Sequence, residues 1–191
     1  MTDLTYAGIL RPSVKGHAFV YDCALVLGGS LFIALCAQLS FRLPFSPVPI
    51  TAQTLAVLLV GALSGARRGA LSVVTYLSQG IVGLPVFAGG MSGLAYLLGP
   101  TGGYLVGFVV AAYVTGGLAE RGWDRRVGTA FQAMLLGNVV LYAFGLAWLT
   151  VFVGVKAALP LGLYPFIPGD LVKLAIATTV LPSGWALLRK P

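Results

Sequence analysis

The chain has 191 residues, of which 58 % are hydrophobic and 9 % are charged, and its mean hydropathy is +0.95. A soluble domain carries roughly 25 % charged residues, so this chain cannot cover its own surface with polar groups. The formal net charge of +7 does not indicate nucleic-acid binding, because the basic residues stand between apolar runs rather than along one face. We therefore expect an all-α integral membrane protein, with the lipid bilayer as its main surroundings.

Charges, prolines and glycines divide the chain into six predicted transmembrane helices in one membrane domain. Residues 1–22 are expected to form a short cytoplasmic arm. The run PFSPVPI at 44–50 cannot be helical, because proline removes a backbone donor and pushes its predecessor towards extended geometry. The predicted spans lie near residues 23–41, 51–65, 70–83, 101–119, 129–153 and 169–188.

Lysine and arginine are distributed unequally between the two sides of these spans. Nine lie on one side and two, Arg42 and Lys156, on the other. By the positive-inside rule this places both termini in the cytoplasm. The basic side holds Arg11, Lys15, Arg67, Arg68, Arg121, Arg125, Arg126, Arg189 and Lys190.

Three loops rich in proline and glycine, at 42–50, 84–100 and 154–168, then lie together on the outer side. Irregular backbone at membrane depth persists only where protein or a cavity satisfies its polar groups. We expect these loops to form a lid over a ligand cavity, although simple connectors are the alternative.

The stretch YPFIPGDLVK at 164–173 contains the one pair of opposite charges that must sit in an apolar segment. Asp170 and Lys173 are three residues apart and therefore share a helix face. Ionisable residues inside a membrane are generally functional, which favours a binding role over helix capping alone.

Catalytic and metal-binding patterns are absent from the sequence. There is no GxxxxGK[ST] or HExxH motif, and His17 is the only histidine. Cys23 and Cys36 lie in one predicted helix without further thiol or imidazole ligands. Only one carboxylate, Asp170, is predicted on the outer side, so paired-carboxylate chemistry is excluded there. No cofactor or metal is expected. The alternatives to a binding protein are an intramembrane enzyme and a channel or structural membrane protein.

Several polar and aromatic residues are predicted near the outer half of the spans. An apolar lining with a few orienting polar groups is typical of a small-molecule pocket. Each residue also has an ordinary structural interpretation, such as helix capping or a place in the interfacial aromatic belt. These residues are Thr51, Gln53, Tyr104, Asn138, Tyr142, Asp170 and Lys173, with the aromatic residues Phe87, Tyr96, Trp148 and Phe166.

Four stretches in order carry a family resemblance: PFSPVPITAQTLAVLLVG (44–61), ARRGALSVVTYLSQGIVGLPVFAGG (66–90), LLGPTGGYLVGF (97–108) and FIPGDLVK (166–173). They resemble the BioY family, the biotin-specific substrate-binding (S) components of energy-coupling factor (ECF) vitamin transporters. The resemblance covers roughly residues 40–185 and leaves the amino-terminal arm outside it.

The resemblance implies a six-helix S-component bundle in the cell membrane, with a biotin cavity near the outer surface. It implies partnership with a transmembrane coupling subunit and two ATPase subunits, which would supply the energy coupling that this chain lacks. Biotin is then the transported ligand rather than a cofactor. Asp170 and Lys173 are expected to neutralise each other when the site is empty.

The same resemblance assigns roles to individual positions. The small residues Ala24, Gly28, Ser30 and Ala34 of the first span become a docking stripe for the coupling subunit, whereas their spacing alone is equally consistent with packing inside the bundle. The expected biotin contacts are Thr51, Gln53, Phe87, Gly89, Gly90, Tyr104, Asn138, Tyr142, Trp148, Asp170 and Lys173.

Overall fold

The computed structural model describes residues 5–188 and is predominantly helical. The first four residues of the predicted arm, together with Arg189 and Lys190 from the charge count, lie outside the described residues. The helices are α1 (Tyr6–Ile9), α2 (Lys15–Gln38), α3 (Gln53–Ser64), α4 (Ala66–Ile81), α5 (Leu94–Leu97), α6 (Gly102–Ala119), α7 (Val127–Val153), α8 (Val155–Gly162) and α9 (Ile167–Leu188). Two short strands, β1 (Ser40–Phe41) and β2 (Ile50–Thr51), pair antiparallel.

Three helices, α2, α6 and α7, are long and apolar enough to cross a membrane. The bent pair of α8 and α9, with an angle of 50° between them, makes a fourth crossing if it counts as one span. The apolar helix α3 has 12 residues and is therefore only about 18 Å long, against a hydrocarbon core of about 30 Å. The chain is a multi-pass membrane protein, and its described part, residues 5–188, contains three to four candidate spans by length and composition.

Two helical segments extend beyond the predicted spans. Helix α2 begins at Lys15, eight residues before the expected start of the first span, so much of the predicted arm is helical. The predicted loop at 154–168 contains α8, with Pro160 inside it. A proline in a helix interior removes a backbone hydrogen bond, yet the backbone N–H of Leu163 still donates to the carbonyl of Leu159 at 3.0 Å.

Helix α6 lies at the centre of the bundle and packs against α3, α4 and α7. Small residues bring these backbones close together, as is common in membrane bundles. A Cβ atom added at Gly61 of α3 would stand 2.5 Å from the carbonyl oxygen of Ala112 of α6. A side chain at this position would therefore force the two helices apart.

Gly65 joins α3 directly to α4 and has a φ of +87°, a backbone conformation that favours glycine. The next residue, Ala66, donates its backbone N–H to Glu120 Oε1 at 2.8 Å. This bond ties the start of α4 to the residue that follows α6.

Two polar side chains hold the loops at the opposite end of the bundle. Ser46 donates its hydroxyl to the carbonyl of Leu161 in α8 at 2.7 Å, which fixes the loop between β1 and β2. Gln38, the last residue of α2, donates to the carbonyls of Val86 and Phe87, both at 3.3 Å. Its Oε1 also accepts the backbone N–H of Gly90 at 3.1 Å.

Candidate functional site

A cavity lies between α3, α6, α7 and α9, below the loop that connects β1 and β2. It encloses about 490 Å³ of empty space, including the part that opens to solvent. Most of its lining is apolar or aromatic, which suits a small organic ligand. The apolar and aromatic lining residues are Val48, Pro49, Tyr96, Tyr104, Leu105, Phe108, Leu141, Tyr142 and Phe166.

The ion pair of Asp170 and Lys173 lines this cavity. Lys173 Nζ lies 2.9 Å from Asp170 Oδ1, and the two side chains are 16 % and 9 % exposed, respectively. Lys173 also donates to the hydroxyl of Thr54 at 2.8 Å, and the hydroxyl of Tyr142 donates to Asp170 Oδ2. Both charges are therefore paired and hydrogen-bonded, which a buried ion pair requires.

The start of α9 explains how these two side chains meet. The helix begins at Ile167, so Pro168 falls in the first turn, where its missing N–H costs nothing. Asp170 lies in the same turn, and its backbone N–H donates to the carbonyl of Phe166 at 2.9 Å. The first turn also favours a negative charge, because the helix dipole is positive there. Lys173 follows on the same face.

Three further residues predicted from the sequence also line the cavity, although part of their hydrogen-bonding capacity is already used. Tyr104 donates its hydroxyl to the carbonyl of Gly162 at 2.8 Å. Gln53 donates to the hydroxyl of Tyr76 at 2.7 Å, and the Thr51 hydroxyl accepts the backbone N–H of Gln53 at 3.3 Å. These three side chains are neutral. Among residues 5–188, Lys173 is the only cationic residue that lines the cavity.

Three other predicted contacts do not line the cavity. Phe87 is fully buried and stacks on Tyr96 with ring centroids 5.0 Å apart, so it supports a lining residue from behind. Trp148 is 39 % exposed and donates Nε1 to the carbonyl of Gly99 at 3.0 Å. Asn138 is buried one helical turn before Tyr142, and its Oδ1 has no hydrogen-bond partner among the described residues.

Gly89 and Gly90, which were also expected to contact biotin, are exposed on the loop and lie outside the cavity lining. The backbone N–H of Gly90 is already bound to Gln38. An amide engaged in this way is unavailable to a ligand unless the loop rearranges.

The four small residues of α2 do not share one exposed face. Ala24 and Gly28 are exposed, and a Cβ atom at Gly28 would meet nothing within 4 Å. Ser30 and Ala34 are buried inside the bundle, where the hydroxyl of Ser30 accepts a hydrogen bond from Gln79 at 3.2 Å. Only the first two residues are accessible to a partner on the surface of this chain.

Thr54 is a polar site residue that the sequence analysis did not predict. It follows Gln53 by one position in the first turn of α3, and a polar residue at the start of an apolar helix is the signal that was available. Its helix is far from α9 in the chain, since Thr54 and Lys173 are 119 positions apart. Only the packing of α3 against α9 brings the hydroxyl to the ammonium group.

These features together define a class of protein: a multi-pass membrane protein with an apolar ligand cavity whose polar contacts converge on one ion pair. The chain belongs to the BioY family, whose model matches residues 10–190.

Named relatives agree with this assignment. The chain is 43 % identical over 161 residues to "Biotin transporter BioY" of Rhizobium etli, covering 79 % of this chain and 85 % of the relative. It is 41 % identical over 154 residues to "Probable biotin transporter BioY" of Pyrococcus horikoshii, covering 79 % and 90 %. A crystal structure of the S-component for biotin from an ECF-type ABC transporter matches with a TM-score of 0.78 at 25 % identity, covering 94 % of this chain and 96 % of that chain.

Proposed function

We propose that the protein binds biotin in the cavity between α3, α6, α7 and α9 and takes it up as the S component of an ECF-type transporter. The observation that carries this proposal is the ion pair of Asp170 and Lys173 in an apolar cavity, in a chain that belongs to the BioY family. Relatives named as biotin transporters and the match to an S-component for biotin support it. As a transporter component of this family, the chain is not an enzyme.

The chemistry of the cavity complements the groups of biotin. The ureido ring of biotin carries two N–H donors and one carbonyl acceptor. The aliphatic tail of biotin ends in a carboxylate. Asp170 accepts from N–H groups, whereas Lys173 donates to a carbonyl or carboxylate oxygen. The aromatic residues Tyr96, Phe108 and Phe166 provide apolar surface for the fused rings and the tail.

Transport requires partners that supply energy. The sequence has no P-loop motif, so ATP hydrolysis must occur elsewhere. We infer that a transmembrane coupling subunit and two ATPase subunits complete the transporter. Ala24 and Gly28 are the predicted docking positions that are exposed on this chain.

The proposal includes six membrane crossings in the cell membrane, with both termini in the cytoplasm. The unequal distribution of lysine and arginine supports this orientation. The short helices α3 and α4 then provide the second and third crossings, supported by their packing against the central helix α6.

A thermal-unfolding titration of the purified protein in detergent tests the proposed function. Biotin should raise the apparent Tm progressively, since a ligand at 100 times its Kd stabilises the folded state by about 2.7 kcal/mol. Thiamine and riboflavin at the same concentrations should leave the Tm unchanged. A folded preparation that biotin does not stabilise would refute the proposal.

A further inference from the structure

A second, larger groove lies at the other end of the bundle from the cavity. Helix α4 forms its floor, while α2 and α6, which make few or no contacts with each other, form its walls. It encloses about 2470 Å³ of empty space including its open side, against about 490 Å³ for the cavity measured in the same way. The groove is therefore larger and more extended over the surface than a pocket for a single compact ring system requires, with lining residues from α2, α4 and α6.

Four arginines and two carboxylates line this groove: Arg11, Arg67, Arg68, Arg121, Asp22 and Glu120. Within residues 5–188, these four positive and two negative charges sum to a net charge of +2. Both acidic residues are already engaged. Asp22 lies 2.6 Å from Arg11 and 2.8 Å from Arg68, and Glu120 accepts the backbone N–H of Ala66.

Arg67 and Arg121 are the two arginines of the groove that lie outside the ion pairs of Asp22. Both are exposed, and neither forms an ion pair within residues 5–188. Arg67 follows Ala66 in the chain, and Arg121 follows Glu120. Because Ala66 and Glu120 are joined by the 2.8 Å hydrogen bond, the two arginines stand at the same end of the groove. The Glu120 carboxylate lies at the same end, so the local net charge is +1. An anion placed there meets two arginine side chains that form no ion pair with a carboxylate of the described chain.

The rest of the groove presents apolar side chains. Phe19, Leu27, Leu71 and Tyr113 line it and are 69 %, 52 %, 54 % and 54 % exposed, respectively. Helix α6 is a candidate membrane span, so its end beside Arg121 lies at the membrane surface. The groove thus combines cations at the interface with apolar surface at greater depth.

We propose that this groove binds one anionic phospholipid, with its phosphate at Arg67 and Arg121 and an acyl chain along Leu71 and Tyr113. Arginine binds phosphate oxygens in a planar, bidentate geometry, and basic pockets between membrane helices bind anionic headgroups. The proposal does not depend on biotin binding, because the groove and the cavity share no lining residue.

Native mass spectrometry of the full chain, titrated with dioleoyl phosphatidylglycerol or dioleoyl phosphatidylcholine, tests this site. The wild-type protein should bind phosphatidylglycerol on the order of tenfold more tightly than phosphatidylcholine, because two interfacial arginines attract the anionic headgroup. The double variant Arg67→Gln/Arg121→Gln should lose that preference and still bind phosphatidylcholine as the wild type does. Thermal unfolding in detergent without added lipid shows whether the variants are folded.

The matched control is Arg126→Gln/Lys156→Gln, which removes the same charge from exposed positions outside the groove. It should retain the preference for phosphatidylglycerol. An equal loss in both double variants would overturn the site, because net charge alone would then explain the binding.

Two further outcomes would also overturn the proposal. Inorganic phosphate that displaces phosphatidylglycerol at equal headgroup concentration would identify the site as one for a free anion. A groove variant that keeps its lipid preference and no longer assembles with a coupling subunit would identify the groove as a protein contact.

Discussion

At the scale of single residues, Lys173 connects two helices through its ammonium group. It pairs with Asp170 in its own helix and donates to Thr54 of α3 at 2.8 Å. Two of its three N–H groups are therefore used inside the protein, and the third is left for a ligand oxygen or water. The position of the ammonium group depends on both partners.

Thr54 is expected to position Lys173 for ligand binding. A hydrogen bond to a charged group contributes about 1.5–3 kcal/mol, so Thr54→Val should weaken biotin binding roughly tenfold. Thr54→Ser keeps the hydroxyl and should bind nearly as tightly as the wild type. Isothermal titration calorimetry in detergent measures both. Wild-type affinity in the valine variant would show that this contact plays no part in recognition.

A second polar cluster joins the turn after α6 to the end of α9. Asp124 is buried and accepts the indole N–H of Trp185 at 2.6 Å. Burial raises the pKa of the Asp124 carboxyl above its ordinary value, although Trp185 and Arg125 oppose this shift. A carboxyl with a raised pKa stabilises the fold most at low pH, and its contribution is lost as the pH rises through the raised pKa.

The substitution Trp185→Phe should therefore destabilise the protein in a pH-dependent way. At neutral pH it removes a bond to a carboxylate, at a cost of about 1.5–3 kcal/mol, whereas Trp148→Phe removes a bond to a neutral carbonyl and costs about 0.5–1.5 kcal/mol. The difference in lost stability between the two variants should shrink towards pH 4, as Asp124 gains its proton. Thermal unfolding of both variants between pH 4 and 8 measures it, and equal losses at every pH would contradict the prediction.

At the scale of elements, the contact between α7 and α6 depends on a glycine. A Cβ atom at Gly145 of α7 would stand 2.2 Å from the ring of Tyr104, which lines the cavity. A Cβ atom at Gly128 of the same helix would meet nothing within 4 Å. The two glycines therefore differ in packing although both lie in one helix.

Replacing each glycine with alanine should affect stability differently. Gly145→Ala overpacks the interface and should cost about 1–3 kcal/mol, while Gly128→Ala should leave stability unchanged or raise it by up to about 1 kcal/mol. Apparent Tm values in detergent compare the two. If Gly145→Ala is as stable as Gly128→Ala, α7 does not pack as closely on Tyr104 as described.

At the scale of the whole molecule, the proposed orientation places the loops near the cavity outside the cell and the basic turn before α7 inside it. Single cysteines in a background without Cys23 and Cys36 test this. Val82 and Val155 are each 78 % exposed at outer positions, and Val127 is 58 % exposed at an inner one. A membrane-impermeant maleimide should label Val82→Cys and Val155→Cys in intact cells, and Val127→Cys only after lysis. The reverse pattern would invert the topology.

Local sequence was sufficient for some features of the fold and of the site. The scarcity of charged residues requires a membrane environment, prolines at 44–50 prevent helix formation there, and a three-residue spacing places Asp170 and Lys173 on one helix face. Helix lengths were less predictable, because α2 and α8 contain residues that sequence reasoning assigned to an arm and a loop.

The sequence by itself determined the kind of protein and the charge pair at its site, because both depend on composition and on neighbours along one helix. Only the tertiary structure decided that Thr54 and Tyr142 complete the pair, that the amide of Gly90 is held by Gln38, and that Ser30 is buried. These contacts join residues far apart in the chain. The packing of the helices determines which residues meet, and the spacing of residues along the chain does not specify it.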